Sequence, residues 1–106
     1  MIIKNKLINL ERMFYDCKSL KNIEGLKYLD TKDINNFSDM FSGCSSLSDI
    51  KVLEKWNVSN GNDFSRMFYK CSSLTNIKSL ENWNVSNGNN FRGMFAKCSS
   101  LTFLRG

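Results

Sequence analysis

Residues 53–79 read LEKWNVSNGNDFSRMFYKCSSLTNIKS and residues 80–106 read LENWNVSNGNNFRGMFAKCSSLTFLRG, two stretches that align without a gap. The frame continues backwards. Residues 26–52 match it, with Leu29 at the tryptophan position and Asp33-Ile34 in place of Asn-Gly. Residues 1–25 align two places short at their start and degenerate before Leu10, with Ile2 at the Trp56 position and Leu10 at the Phe64 position. Met-Phe therefore recurs at 13–14, 40–41, 67–68 and 94–95, followed at fixed offsets by Cys17, Cys44, Cys71 and Cys98 and by Leu20, Leu47, Leu74 and Leu101. A constant period of 27 residues marks a repeat architecture, in which each unit buries its apolar side against the next. The expectation is one domain over residues 1–106, built of four coils at 1–25, 26–52, 53–79 and 80–106 and open to being a fragment of a longer array.

Within one coil the apolar positions suggest three parts. Phe64, Met67, Phe68 and Cys71 stand at i, i+3, i+4 and i+7, the spacing of one helical face. Asn36, Asp63 and Asn90 precede the equivalent phenylalanines, where they can cap a first helical turn. A short helix is expected there, held by neighbouring coils because so few residues cannot hold one alone. Ser73-Leu74-Thr75-Asn76-Ile77 reads as a very short strand or extended turn with a bend. In the third part Leu53, Trp56 and Val58 point inward, and Asn60-Gly61 turns the chain, glycine supplying a positive φ. Ile34 replaces that glycine in the second coil, so a corner of different shape is expected. The phenylalanines form two ladders: Phe37, Phe64 and Phe91 joined by Leu10, and Phe14, Phe41, Phe68 and Phe95.

Composition narrows the classes of function. The chain is 42% apolar and 24% charged, enough for one ordered domain. No apolar run approaches the roughly 20 residues of a membrane span. The start, MIIKNKLINLERMF, includes Glu11 and no compact hydrophobic block, so it is read as a fragment boundary and not as a signal peptide. The net charge of +5 sits in the second part of the chain, where Arg66, Lys70, Lys78, Arg92, Lys97 and Arg105 face Glu81 alone. Such a surplus can draw acidic proteins, nucleic acid or anionic surfaces, or be solvated charge. The basic residues do not form a regular ladder, which disfavours nucleic acid.

The chain has no histidine, which removes most metal and acid–base schemes and leaves the cysteines without a partner base. Zinc ligation, disulfides between coils and buried reduced thiols are the three readings of Cys17, Cys44, Cys71 and Cys98. Their spacing is unlike the close pairs of zinc sites, and buried thiols suit the packing best. Glu54 and Glu81 read as solvated carboxylates. Asn36-Phe-Ser38, Asn57-Val-Ser59 and Asn84-Val-Ser86 fit the glycosylation pattern but read as polar corners. Trp56 and Trp83 are either core residues or an aromatic platform for a sugar or peptide. No catalytic residue, cofactor or metal is expected, and the chain reads as non-enzymatic.

The run Asn-Phe-x-x-Met-Phe-x-x-Cys-Ser-Ser-Leu-x-x-Ile, followed by Leu-Glu-x-Trp-Asn-Val-Ser-Asn, resembles the BspA-like leucine-rich repeats. It is especially similar to the branch described from Mycoplasma lipoproteins of unknown function. The likeness covers residues 7–106 and rests on Met40-Phe41, Cys44-Ser45-Ser46-Leu47 and their equivalents. It implies a leucine-rich-repeat-like, right-handed coil stack, a solenoid with short parallel strands on one face and short helices or turns on the other. Leu47-Ser48-Asp49-Ile50 and its matches would lie at the strand face. The resemblance also implies a cell-surface or secreted protein that binds host or cell-surface proteins. On that face the candidate partner-binding residues are Lys21, Asn22, Glu24, Ser48, Asp49, Lys51, Thr75, Asn76, Lys78, Thr102 and Arg105.

Three functions follow as expectations. The first is a protein–protein interaction or adhesion module. The second is a structural spacer or a segment that self-associates through uncapped ends. The third is weak binding of anionic surfaces or nucleic acid through the basic second half.

Overall fold

A computed structural model describes residues 7–102. The Met-Phe segments lie against one another in sequence order, joined by a row of main-chain hydrogen bonds. The N–H groups of Leu10, Arg12, Phe14 and Asp16 donate to the carbonyls of Asn36, Ser38, Met40 and Ser42. Phe37, Asp39, Phe41 and Gly43 donate in the same way to Asp63, Ser65, Met67 and Tyr69, and Phe64, Arg66, Phe68 and Lys70 to Asn90, Arg92, Met94 and Ala96. All twelve bonds are 2.7–3.0 Å long, and all run from one unit to the next.

The expected solenoid of strands opposed by helices is corrected by the backbone. Among the described residues there is no strand, no sheet and no helix of seven residues or more. The regular elements are three short 3-10 helices, Glu24–Tyr28, Lys51–Lys55 and Lys78–Leu80. Parallel pairing is confined to isolated bridges, Asn22 with Asp49 and the series Asn9, Asn36, Asp63 and Asn90. Leu47-Ser48-Asp49-Ile50, expected at a strand face, contributes one such bridge only.

The segment read as a helix is a run of overlapping turns. In the third unit Met67, Tyr69 and Cys71 donate to the carbonyls three residues earlier, of Phe64, Arg66 and Phe68. The intervening amides of Arg66, Phe68 and Lys70 turn outward to the next unit. What prevents a helix is a left-handed residue at every fourth position: Arg12 and Asp16, Asp39 and Gly43, Arg66 and Lys70, Gly93 and Lys97, with φ between 53° and 79°. A left-handed residue cannot continue a right-handed helix, so every second donor is released for bonding between units. Phe64, Met67, Phe68 and Cys71 are nonetheless all buried, because successive turns keep the i, i+3, i+4, i+7 spacing on one side.

The core is the stack of those side chains. Phe14, Phe41, Phe68 and Phe95 lie ring on ring with centroids 5.5–5.6 Å apart, and Phe37, Phe64 and Phe91 with centroids 5.3–5.4 Å apart. Trp56 and Trp83 tilt over Phe37 and Phe64 of the preceding unit, at 6.0 and 6.1 Å. Their indole N–H groups donate to the Leu26 and Leu53 carbonyls. Trp56 is buried and Trp83 half-buried, so both serve packing more than an open platform. Ile2, aligned with them, lies outside the described residues.

Asn and Asp set the corners. Asn9, Asn36, Asp63 and Asn90 each accept from the backbone N–H two residues on, and so do Asn22, Asp49 and Asn76 ahead of the 3-10 helices. Asn57 and Asn84 do the same at a third corner. These are Asx turns, in which a short side chain stands in for a backbone acceptor. The residues expected to cap helices thus shape turns instead.

Gly61 also differs from expectation. Its φ lies outside the left-handed region, and the reason for glycine is space, since an added Cβ would meet Phe64 Cζ at 2.5 Å and Phe37 Cε2 at 3.0 Å. Ile34 makes the same turn bond to Thr31 that Gly61 makes to Val58, so the second corner keeps its hydrogen-bonded form. The unit before Ile34 presents Leu10 where the unit before Gly61 presents Phe37.

Candidate functional site

Of the candidate binding residues, Lys21, Asn22, Glu24, Ser48, Asp49, Lys51, Thr75, Asn76, Lys78 and Thr102 are all exposed, while Arg105 lies outside the described residues. Local chemistry holds them there. Leu20 and Ile23, Leu47 and Ile50, Leu74 and Ile77 turn into the core, so the residues between them must face out. The Asx turns of Asn22, Asp49 and Asn76 then fix where each 3-10 helix begins.

Neighbouring units bring these residues together. Asn22 pairs with Asp49 by a parallel bridge, and Thr102 donates both its N–H and its hydroxyl to the Thr75 carbonyl, at 3.0 and 2.9 Å. Ser48, Asp49, Lys51, Asn76 and Lys78 line one shallow depression of about 460 Å³, completed by Glu54, Glu81 and Asn82. Lys21, Asn22, Glu24, Thr75 and Thr102 are not among its lining residues. The charge is mixed: Asp49, Glu54 and Glu81 stand with Lys51 and Lys78. That mixture suits hydrogen bonding and short ion pairs to a polypeptide, and a run of phosphates poorly.

A second depression of about 470 Å³ escaped the sequence reading. It is lined by Tyr15, Lys18, Ser42, Gly43, Tyr69 and Lys70 among others. The signal was in one column of the repeat, where Tyr15, Ser42 and Tyr69 succeed one another. The small serine between two tyrosines leaves a notch. Three nearby cations are engaged with the rings: Arg12 sits 5.5 Å from the Tyr15 centroid, and Arg66 and Lys70 sit 5.8 and 5.4 Å from that of Tyr69. Part of the basic surplus is therefore spent on cation–π contacts within the chain.

The cysteines are free thiols packed in a row. Cys44, Cys71 and Cys98 donate through Sγ to the carbonyls of Phe14, Phe41 and Phe68 in the preceding unit, at 3.0–3.2 Å. Burial pushes the Cys44 thiol up to about 11, and burial also raises Cys71 and Cys98. Protonated thiols of this kind are poor nucleophiles and poor ligands. Among the described residues no group of three His, Cys, Asp or Glu side chains could hold a metal, and no helix is long and apolar enough to cross a membrane.

No curated protein and no solved structure matches the chain. A family model does, over residues 6–103, nearly the whole length. With its repeated Met-Phe, Cys-Ser-Ser-Leu and Trp-Asn-Val-Ser-Asn segments, the chain belongs to the family described as Mycoplasma protein of unknown function, DUF285.

Proposed function

We propose that this protein is a non-enzymatic module for protein–protein contact, of the cell-surface or adhesive type suggested by its resemblance to BspA-like repeats. The observation that carries the reading is the edge on which Ser48, Asp49, Lys51, Asn76 and Lys78 converge, exposed and of mixed charge. The residues behind that edge are locked by core packing and Asx turns, so a partner meets a preorganised surface and little ordering entropy is lost on docking. The absence of histidine from the sequence and the raised thiols favour contact over catalysis.

The test is binding to a panel of immobilised host matrix and cell-surface proteins. The pair Asp49→Lys and Lys78→Glu inverts two charges at the edge and should weaken a genuine partner by roughly tenfold or more. No binding across the panel, or binding indifferent to both substitutions, would remove this edge from the proposal.

A further inference from the structure

The tyrosine column lacks a rung. Tyr15, Ser42 and Tyr69 follow one another in register, since the Asp16 N–H donates to the Ser42 carbonyl and the Gly43 N–H to the Tyr69 carbonyl, both at 2.7 Å. One residue earlier, Phe14, Phe41 and Phe68 occupy the same three units, and there the middle ring sits 5.6 and 5.5 Å from its neighbours. Tyr15 and Tyr69 are therefore two steps of that ladder apart, with room for a single ring between them. Both border the depression of about 470 Å³ that opens over Ser42. Arg12 and Arg66, which lie against these rings, do not line it.

The floor and rim of the notch narrow what such a ring would carry. Ser42 is 3% exposed, and its hydroxyl makes no hydrogen bond among the described residues, although the oxygen is not sealed from solvent. A phenol entering between the tyrosines meets that hydroxyl with its own and forms a pair that a phenylalanine cannot. The rim is basic. Lys18, Lys70 and Lys97 line the depression, with Asp16 as the one carboxylate among its lining residues. None of the three lysines forms an ion pair among the described residues, though Lys70 rests on the Tyr69 ring. They belong to the first, third and fourth units, a longer span than one ring covers, so the matching acids must flank the ring in a chain.

We propose that this notch binds a tyrosine side chain of a partner polypeptide, with acidic residues on either side of it. The ring stacks between Tyr15 and Tyr69 as Phe41 stacks between Phe14 and Phe68, its hydroxyl bonds to Ser42, and the flanking carboxylates reach the lysines. The site shares the partner class of the proposed function but no lining residue with the edge that carries Asp49 and Lys78, so either surface can fail alone.

The experiment is isothermal titration calorimetry of the full chain with an acetylated pentapeptide carrying tyrosine between two pairs of aspartates. Leucine in place of that tyrosine should weaken binding by about tenfold or more, and phenylalanine by about threefold. Ser42→Tyr supplies the missing rung from the chain itself, in a column that already accepts Tyr15 and Tyr69. It should weaken binding by about tenfold with no fall in melting temperature. Tyr15→Leu and Lys97→Glu, both at exposed positions, should each weaken binding by about three- to fivefold, and they carry the test if Ser42→Tyr does not fold. No binding at millimolar peptide overturns the proposal. So does equal binding of the tyrosine and leucine peptides, a folded Ser42→Tyr that binds like the unaltered chain, or an oligothymidylate that binds more tightly than the peptide.

Discussion

At Gly61 an added Cβ would press on two phenylalanine rings, while at Gly25 nothing lies within 4 Å. Gly61→Ala should therefore destabilise by about 1–3 kcal/mol, and Gly25→Ala should be neutral or stabilise by about 0.5–1 kcal/mol, as urea denaturation will show. Phe68 is fully buried between two stacked rings, and Phe68→Ala should cost about 3–5 kcal/mol in the same measurement. The thiols make a separate prediction. In the unfolded chain a cysteine loses its proton near 9.0, whereas folded Cys44 holds its proton to about 11. The folded state binds more protons in that window, so this contribution is complete below about pH 9 and is lost as pH rises toward 11. Thermal melts from pH 7 to 11 should fall more steeply for the unaltered chain than for Cys44→Ser.

Individual elements show what a sequence can and cannot disclose. The burial of Phe64, Met67, Phe68 and Cys71 was readable from their spacing, because i, i+3, i+4, i+7 reports which side of a segment is buried. Whether that segment is a helix was not readable, since a chain of turns keeps the same periodicity. The deciding information is the left-handed backbone at Arg12, Arg66, Lys70 and Lys97, residue types that do not advertise it; only Gly43, Gly93, Asp16 and Asp39 hint at those columns. The exposed candidate residues were legible for a similar reason, as the gaps between Leu and Ile pairs. The notch at Ser42 was not, because it depends on what the neighbouring units lack. Asx corners give the prediction at this scale. Asp63 accepts from the Ser65 N–H at 2.9 Å, and Asn36 and Asn90 fill the same role in adjacent units. Asp63→Asn should be nearly neutral, and Asp63→Ala should lower stability by about 1 kcal/mol, read as a shift in urea midpoint.

For the whole molecule, stability should be graded along the stack. Phe37 and Phe64 are fully buried with units on both sides, but Phe91 is 42% exposed. Amide exchange should therefore be slowest at Phe37, Phe41, Phe64 and Phe68 and fastest at Phe91 and Phe95, whose N–H groups lack backbone acceptors among the described residues. Uniform exchange rates across the four units would contradict this ordering.

The donor–acceptor offset has a genetic corollary. The twelve bonds that join the Met-Phe segments each span 26 residues, and each repeat presents to its successor the same main-chain pattern that it receives from its predecessor. An in-frame duplication of one repeat inside the array therefore creates no mismatched joint, and an in-frame deletion of one leaves none. Length is free to drift under unequal recombination while the backbone geometry of each surviving joint stays as it was.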